Sequence, residues 1–285
     1  MNTFSSRYSA CKERPSAKLE ILFQQRLLGL LLLLMCGNTL ADLSKTETPQ
    51  EFVMWLGAND AHGEIINGVA PADPSKWKSI FLSKKNGSWC TAFAVGPRTV
   101  MTAAHCVPKD QQITLKRPSK IDLIAQCRIA PSYPTDPTAD YALCSLGEDI
   151  SAGPYETLNR KHNKLIPGTR VLLTGYGCRQ FVNQSEQDFS TGIVTYYSKA
   201  EGNYGVLGGG ASVCFGDSGG PAFVVSNDDV ANRVLIGLNS QLWSDGMTSL
   251  LSLIPTDVES FFQDLNTKGW IICGITLAAR KCRHE

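Results

Sequence analysis

No two cysteines in this sequence stand at Cys-x-x-Cys spacing, and its four histidines are scattered along 285 residues. A structural zinc site therefore lacks its usual ligand pattern, and no metal or other cofactor is expected. Charge of one sign is also missing: 27 Lys and Arg stand against 26 Asp and Glu, for a formal net charge of +1, without a long block of either. That argues against nucleic acid or an anionic membrane as the partner. There is no internal repeat and no low-complexity tract, so nothing points to a repeat array. The apolar run Leu27 to Met35 is too short to span a bilayer.

What is present sorts the chain into regions. Arg7, Lys12, Arg14, Lys18 and Arg26 precede that apolar run, and Thr39 and Ala41 follow it. This resembles a secretory signal peptide, residues 1–41, cleaved after Ala41, with an uncleaved anchor as the alternative. Lipid attachment at Cys36 is disfavoured because Met35 is too bulky for the usual site. Cleavage removes Cys11 and Cys36 from the ten cysteines and leaves eight, an even number suited to disulfides in an oxidising compartment. Residues 42–64 are polar, then mixed, with no sustained period, and read as a pro-segment.

From Ile66 onward the chain carries short β-rich runs, among them Ile80 to Leu82, Cys90 to Val95, Val171 to Gly175, Gly192 to Tyr197 and Val234 to Leu238. Turn signals at Lys85 to Gly87, Gly96 to Pro97 and Pro131 to Pro137 separate them. An all-β barrel or sandwich follows. One helix is expected near the end, capped by Thr256 and carrying Val258, Phe261, Phe262 and Leu265 at helical spacing. The glycine-rich stretch Gly202 to Gly210 reads as a loop approaching the functional site.

The chemistry concentrates in two motifs. Gly216-Asp217-Ser218-Gly219-Gly220-Pro221 sets a serine among glycines, which let the backbone turn sharply and aim amides at a ligand. A hydroxyl is a weak nucleophile at neutral pH and requires a positioned base. Of the four histidines, His105 alone sits in a supporting context, after Thr102, Ala103 and Ala104 and just before Cys106. Together these two motifs resemble the signatures of the trypsin and chymotrypsin family, and the similarity extends with gaps from Ile65 to about Leu265.

That resemblance carries further expectations. It implies two packed six-stranded antiparallel β-barrels with a C-terminal α-helix, a protease domain over residues 65–266, and a C-terminal tail over 267–285. It implies a serine endopeptidase in which His105 is the base, Asp140 in the apolar stretch Asp140-Tyr141-Ala142-Leu143 orients it, and Ser218 attacks. The backbone amides of Gly216 and Ser218 would form the oxyanion hole. Ile65-Ile66-Asn67-Gly68 resembles the family's activated amino terminus; cleavage after Glu64, by another protease or by self-cleavage, would free Ile65 to pair with Asp217. Ile65 and Ile66 as the start of an ordinary strand remain the alternative.

Eight cysteines allow about a hundred pairings, and the resemblance narrows them to Cys90 with Cys106, Cys127 with Cys144, Cys178 with Cys214, and Cys273 with Cys282. By the family's pattern Ser212 lies at the base of the substrate pocket, with Ser240 and Leu242 at its wall. A neutral base disfavours cleavage after Arg or Lys and favours apolar or small residues, with glutamate as the alternative. The expected partners are protein or peptide substrates and an activator, with no nucleic acid and no membrane after signal removal. The expected form is a monomer, secreted or periplasmic. Asn86 and Asn183 begin glycosylation sequons.

Two rival classes stay on the page. Gly-x-Ser-x-Gly also fits an α/β-hydrolase esterase, but that fold needs its histidine after the serine, and only His284 follows. A non-catalytic binding module on the same fold would be expected to lack a triad member, and all three are present.

Overall fold

The computed structural model describes residues 65–85, 87–116, 121–150, 153–158, 165–178, 188–200, 202–225, 229–254, 259–277 and 282. The expected signal peptide and pro-segment, the Thr256 cap with Val258, and the sequon residues Asn86 and Asn183 lie outside them. The described residues form two closed six-stranded antiparallel barrels, as the family resemblance led one to expect.

In the first barrel β1 (Ile80–Lys85), β2 (Ser88–Gly96) and β3 (Thr99–Thr102) run consecutively. β4 (Gln112–Leu115), β5 (Leu123–Ile129) and β6 (Ala142–Leu146) complete it in the order β1-β2-β3-β6-β5-β4. The second joins β7 (Arg170–Gly175), β8 (Ser190–Lys199) and β9 (Tyr204–Gly208) to β10 (Pro221–Val224), β11 (Val234–Leu242) and β12 (Ser249–Leu253). Its order is β7-β8-β9-β12-β11-β10, closing on β7. Closure leaves no sheet edge. β5 shows the period behind this plainly: Leu123, Ala125 and Cys127 are buried while Ile124, Gln126 and Arg128 face out.

The short runs read from sequence all fall inside strands. The stretch Gly202 to Gly210 does not fit its expectation, because Tyr204–Gly208 is β9, paired to β8 on one side and to β12 on the other. Gly205 and Gly208 are glycines there because neighbouring side chains fill the space above them, Leu253 and Tyr196 over one and Tyr197 over the other. The helix α1 (Glu259–Thr267) buries Phe261, Phe262 and Leu265 in the cluster shared by both barrels. That cluster joins Phe93, Met101, Tyr141 and Leu143 of the first half to Leu172, Ile193, Phe223 and Leu238 of the second.

Beyond α1 the described residues are tied to the first half and to the inter-barrel connection. Cys273 N–H donates to Val95 O (2.7 Å), Leu158 N–H to Cys273 O (3.0 Å) and Tyr155 N–H to Cys282 O (3.1 Å). Cys273 and Cys282, joined by a disulfide, are fully buried in the first barrel's core, while fully buried Ile272 enters the cluster shared by both barrels.

A buried ion pair joins the halves. Arg233, just before β11, pairs with Glu156 of the inter-barrel connection, both nearly inaccessible. The guanidinium lies 4.4 Å from the Trp77 ring centroid and 5.2 Å from that of Phe223, and it also donates to Lys76 O and Val230 O. Ser79 Oγ donates to Glu156. Breaking such a pair strands a desolvated charge, so Arg233→Met is expected to cost about 3 kcal/mol of stability. Replacing both partners by Met should cost less than either single change, and urea unfolding of the three variants checks the order.

Candidate active site

His105 sits where β3 gives way to the 3-10 turn Ala104–Cys106. Ala103 and Ala104 are small because both are fully packed, and Cys106 is bonded to Cys90 of β2, fixing the backbone on the far side of the imidazole. Asp140 stands two residues before β6 on a segment held from several sides: Tyr141 packs edge-on against Phe261, and Ser252 Oγ donates to Thr138 O. Tyr204 OH donates to Pro137 O (2.7 Å), and burial raises that phenol's pKa, which keeps it a neutral donor.

These two elements bring His105 and Asp140 together. Asp140 Oδ2 lies 2.7 Å from His105 Nδ1, and its Oδ1 accepts the His105 backbone N–H at 2.9 Å. The Asp140 side chain is 2% exposed against 37% for His105. An inaccessible carboxylate thus holds an imidazole whose other edge is open. Ser240 Oγ donates to the same Oδ2 at 2.5 Å. Sequence reasoning assigned Ser240 to the pocket wall; it lines the cleft, but its hydroxyl also serves Asp140, a contact no motif announces because it joins residues a hundred apart in the chain.

Ser218 occupies the turn before β10. Gly216 has φ +103° and Gly219 φ +82°, conformations that L side chains rarely adopt, and a Cβ on Gly219 would collide with Thr102 Oγ1 and Thr91 O. The carbonyls of this turn are occupied: Gly216 O accepts from Thr91 Oγ1, Asp217 O from Gly220 N–H, and Ser218 O from Thr91 N–H. Among the described residues the N–H groups of Gly216 and Ser218 have no acceptor. Ser218 and His105 line one cleft of about 870 Å³, between the wall Val213–Phe215 and the wall Asn239–Gly246.

Asp217, adjacent to Ser218, is fully buried. Its Oδ1 accepts from Gly177 N–H and its Oδ2 from Cys214 N–H, each at 2.8 Å, and the disulfide Cys178–Cys214 bonds the two flanking segments. Gly175 and Gly177 lack side chains where the Asp217 carboxylate presses against them. Ile65 is also fully buried, in the second barrel's cluster. Its nitrogen donates to Ser190 Oγ at 2.5 Å, and Ile66 pairs antiparallel with Ser212. The fourth disulfide, Cys127–Cys144, joins directly opposed residues of β5 and β6.

Ser212 is buried and is not among the residues lining the cleft, although its neighbour Val213 is; its hydroxyl donates to Gly246 O at 3.2 Å. Leu242, Phe215 and Trp243 line the cleft, and exposed Met247 follows its far wall. Asp245 is the carboxylate among the lining residues. The Thr248 hydroxyl, then the amides of Met247 and Thr248, hydrogen-bond it and hold its pKa below the ordinary aspartate value. Cys90, His105 and Cys106 lie close enough to one another to hold a metal, but both sulfurs are committed to a disulfide.

Residues 65–262 match the family described as Trypsin. The chain belongs to the trypsin family. Among similar curated proteins are ovochymase of Halocynthia roretzi, 26% identical over 201 residues, and human serine protease 56, 26% identical over 215. The first alignment covers 58% of this chain and 13% of ovochymase, the second 65% and 35%. A trypsin of Saccharopolyspora erythraea is 25% identical over 182 residues, 55% of this chain and 76% of that protein. The chain thus spans only a minor part of the first two trypsin-family relatives. Human heparin binding protein shares the fold, with a TM-score of 0.57 at 18% identity over 71% of this chain and 97% of that one.

Proposed function

We propose that this trypsin-family chain is a secreted serine endopeptidase in which Ser218, His105 and Asp140 hydrolyse peptide bonds through an acyl-enzyme. The observation that carries the reading is the buried Asp140 carboxylate bonded to His105 Nδ1, with the open imidazole edge and Ser218 in one cleft. Ser218 Oγ attacks the scissile carbonyl carbon and passes its proton to His105 Nε2. The oxyanion takes hydrogen bonds from the unengaged Gly216 and Ser218 amides. When the C–N bond breaks, the same imidazole protonates the departing amine; water then repeats the sequence on the ester. Asp140 holds the tautomer with its proton on Nδ1 and stabilises the imidazolium.

The pocket favours apolar or small residues before the scissile bond. Leu242, Phe215 and Trp243 supply apolar wall, and buried Ser212, behind the lining residue Val213, is neutral and engaged with Gly246. Cleavage after Glu64 would convert the Ile65 amide to an ammonium that pairs with Asp217; the burial of both residues, and the pairing of Ile66 with Ser212, support this. Four disulfides fit an extracellular or periplasmic protein acting as a monomer on protein substrates.

Labelling with a fluorophosphonate probe tests the proposal. The processed protein should form a stable adduct at Ser218, lost in Ser218→Ala. Absence of labelling in correctly processed, folded protein would replace the enzyme by a binding module on the same fold.

A further inference from the structure

A second recess, of about 530 Å³, opens on the other side of Ser218 and His105. Lys85 and Trp89, from the hairpin of β1 and β2, form one of its walls; Phe215 and Gly216 form the other. Lys85 is half-buried, and its Nζ donates to the His105 carbonyl oxygen. Among the described residues it has no carboxylate partner. The ring of Trp89 lies 5.5 Å from Nζ of Lys84, and Phe215 is 66% exposed.

If the acyl half of a substrate fills the cleft walled by Val213–Phe215 and Asn239–Gly246, the leaving half has to run through this recess. Among the residues lining it, the ammonium of Lys85 is the ionic group that the leaving half meets. Its contact with the His105 carbonyl restrains a side chain that would otherwise lose several rotamers on meeting a ligand. Trp89 and Phe215 set apolar ring surface on opposite sides of that ammonium, against which the stem of a leaving-half side chain can pack. The acyl cleft carries the opposite sign at Asp245, so the two recesses flanking Ser218 are electrostatically distinct.

We propose that Lys85 is a specificity-determining residue of a leaving-group subsite that selects Asp or Glu within the first two positions after the scissile bond. The proposal rests on the endopeptidase reading above. Trp89 and Phe215 grip the backbone and stem of that segment, and the ammonium pairs with its carboxylate.

The test uses three peptides with one shared acyl half and Glu, Gln or Lys in the two positions after the scissile bond, cleaved by the processed protein. Wild type should favour Glu over Lys by about tenfold in kcat/KM, a ratio appropriate to one partly desolvated ion pair, and the ratio should shrink as salt is raised. Because each ratio is taken within one variant, a general loss of activity cancels. Lys85→Arg should keep the preference, Lys85→Met should flatten it, and Lys85→Glu should invert it. An equal rate for all three peptides in wild type, or a preference unchanged in Lys85→Met, overturns the subsite and leaves the endopeptidase standing. Cleavage of none of the peptides removes both.

Discussion

The Asp140→Asn variant is expected to lose about 10⁴-fold in kcat with KM little altered, the size of loss known for that change in a serine protease triad. The carboxylate accepts on every side: Nδ1 of His105 and Ser240 Oγ at Oδ2, the His105 backbone N–H at Oδ1. Asparagine has one acceptor and one donor to fill the same place. With its NH₂ group facing Nδ1, the imidazole must accept there and carry its proton on Nε2, which leaves no base for Ser218. With NH₂ turned the other way, two donors face each other at the His105 amide. About 10⁴ in rate is about 5.5 kcal/mol of barrier. Ser240→Ala removes one donor and leaves the tautomer intact, so it should cost only about tenfold. Steady-state kinetics on a peptide substrate read both, and equal losses for the two variants would contradict the orienting role of Asp140.

Asp217→Asn is expected to lower kcat/KM of the processed enzyme by a factor of about 10² to 10³, the equivalent of removing one partner of a buried charge pair. Asp217 is inaccessible, and its two oxygens order the Gly177 and Cys214 amides on either side of the turn that presents Gly216 and Ser218. The amide can keep one of these bonds but not both, and it offers no charge to an Ile65 ammonium. The comparison that decides the matter is between the forms before and after cleavage. Wild type should gain most of its activity when its amino terminus becomes Ile65, whereas Asp217→Asn should gain almost none. Amino-terminal sequencing alongside the assay identifies the species; a wild-type protein fully active with residues 42–64 attached would remove the activation scheme.

The motifs around His105 and Ser218 were legible because each is local: the serine or histidine and the small residues that make room for its turn are chain neighbours. Family membership and the two-barrel fold followed from them. Short apolar runs such as Cys90 to Val95 and Val171 to Gly175 were readable for a similar reason, since continuous burial is a property of a few consecutive residues. Gly202 to Gly210 misled because glycine speaks for a loop only when nothing packs over it, and here tyrosine and leucine side chains from β8 and β12 do. The helix near the end announced itself by spacing, while the segment beyond it gave no sign that Cys273 and Cys282 enter the first barrel's core and Ile272 the cluster shared by both.

Sequence alone determined the glycine-rich turn that carries Ser218, the histidine beside its cysteine, the even set of cysteines and the family, all properties of residue type at short spacing. The tertiary structure decided what distance in the chain conceals. It placed Ser240 on the same Asp140 oxygen as His105, tied the buried Ser212 hydroxyl to Gly246 O, and set Lys85 and Asp245 in different recesses flanking Ser218. Those contacts depend on how two closed barrels pack face to face, and that geometry is set by the whole core rather than by any one segment.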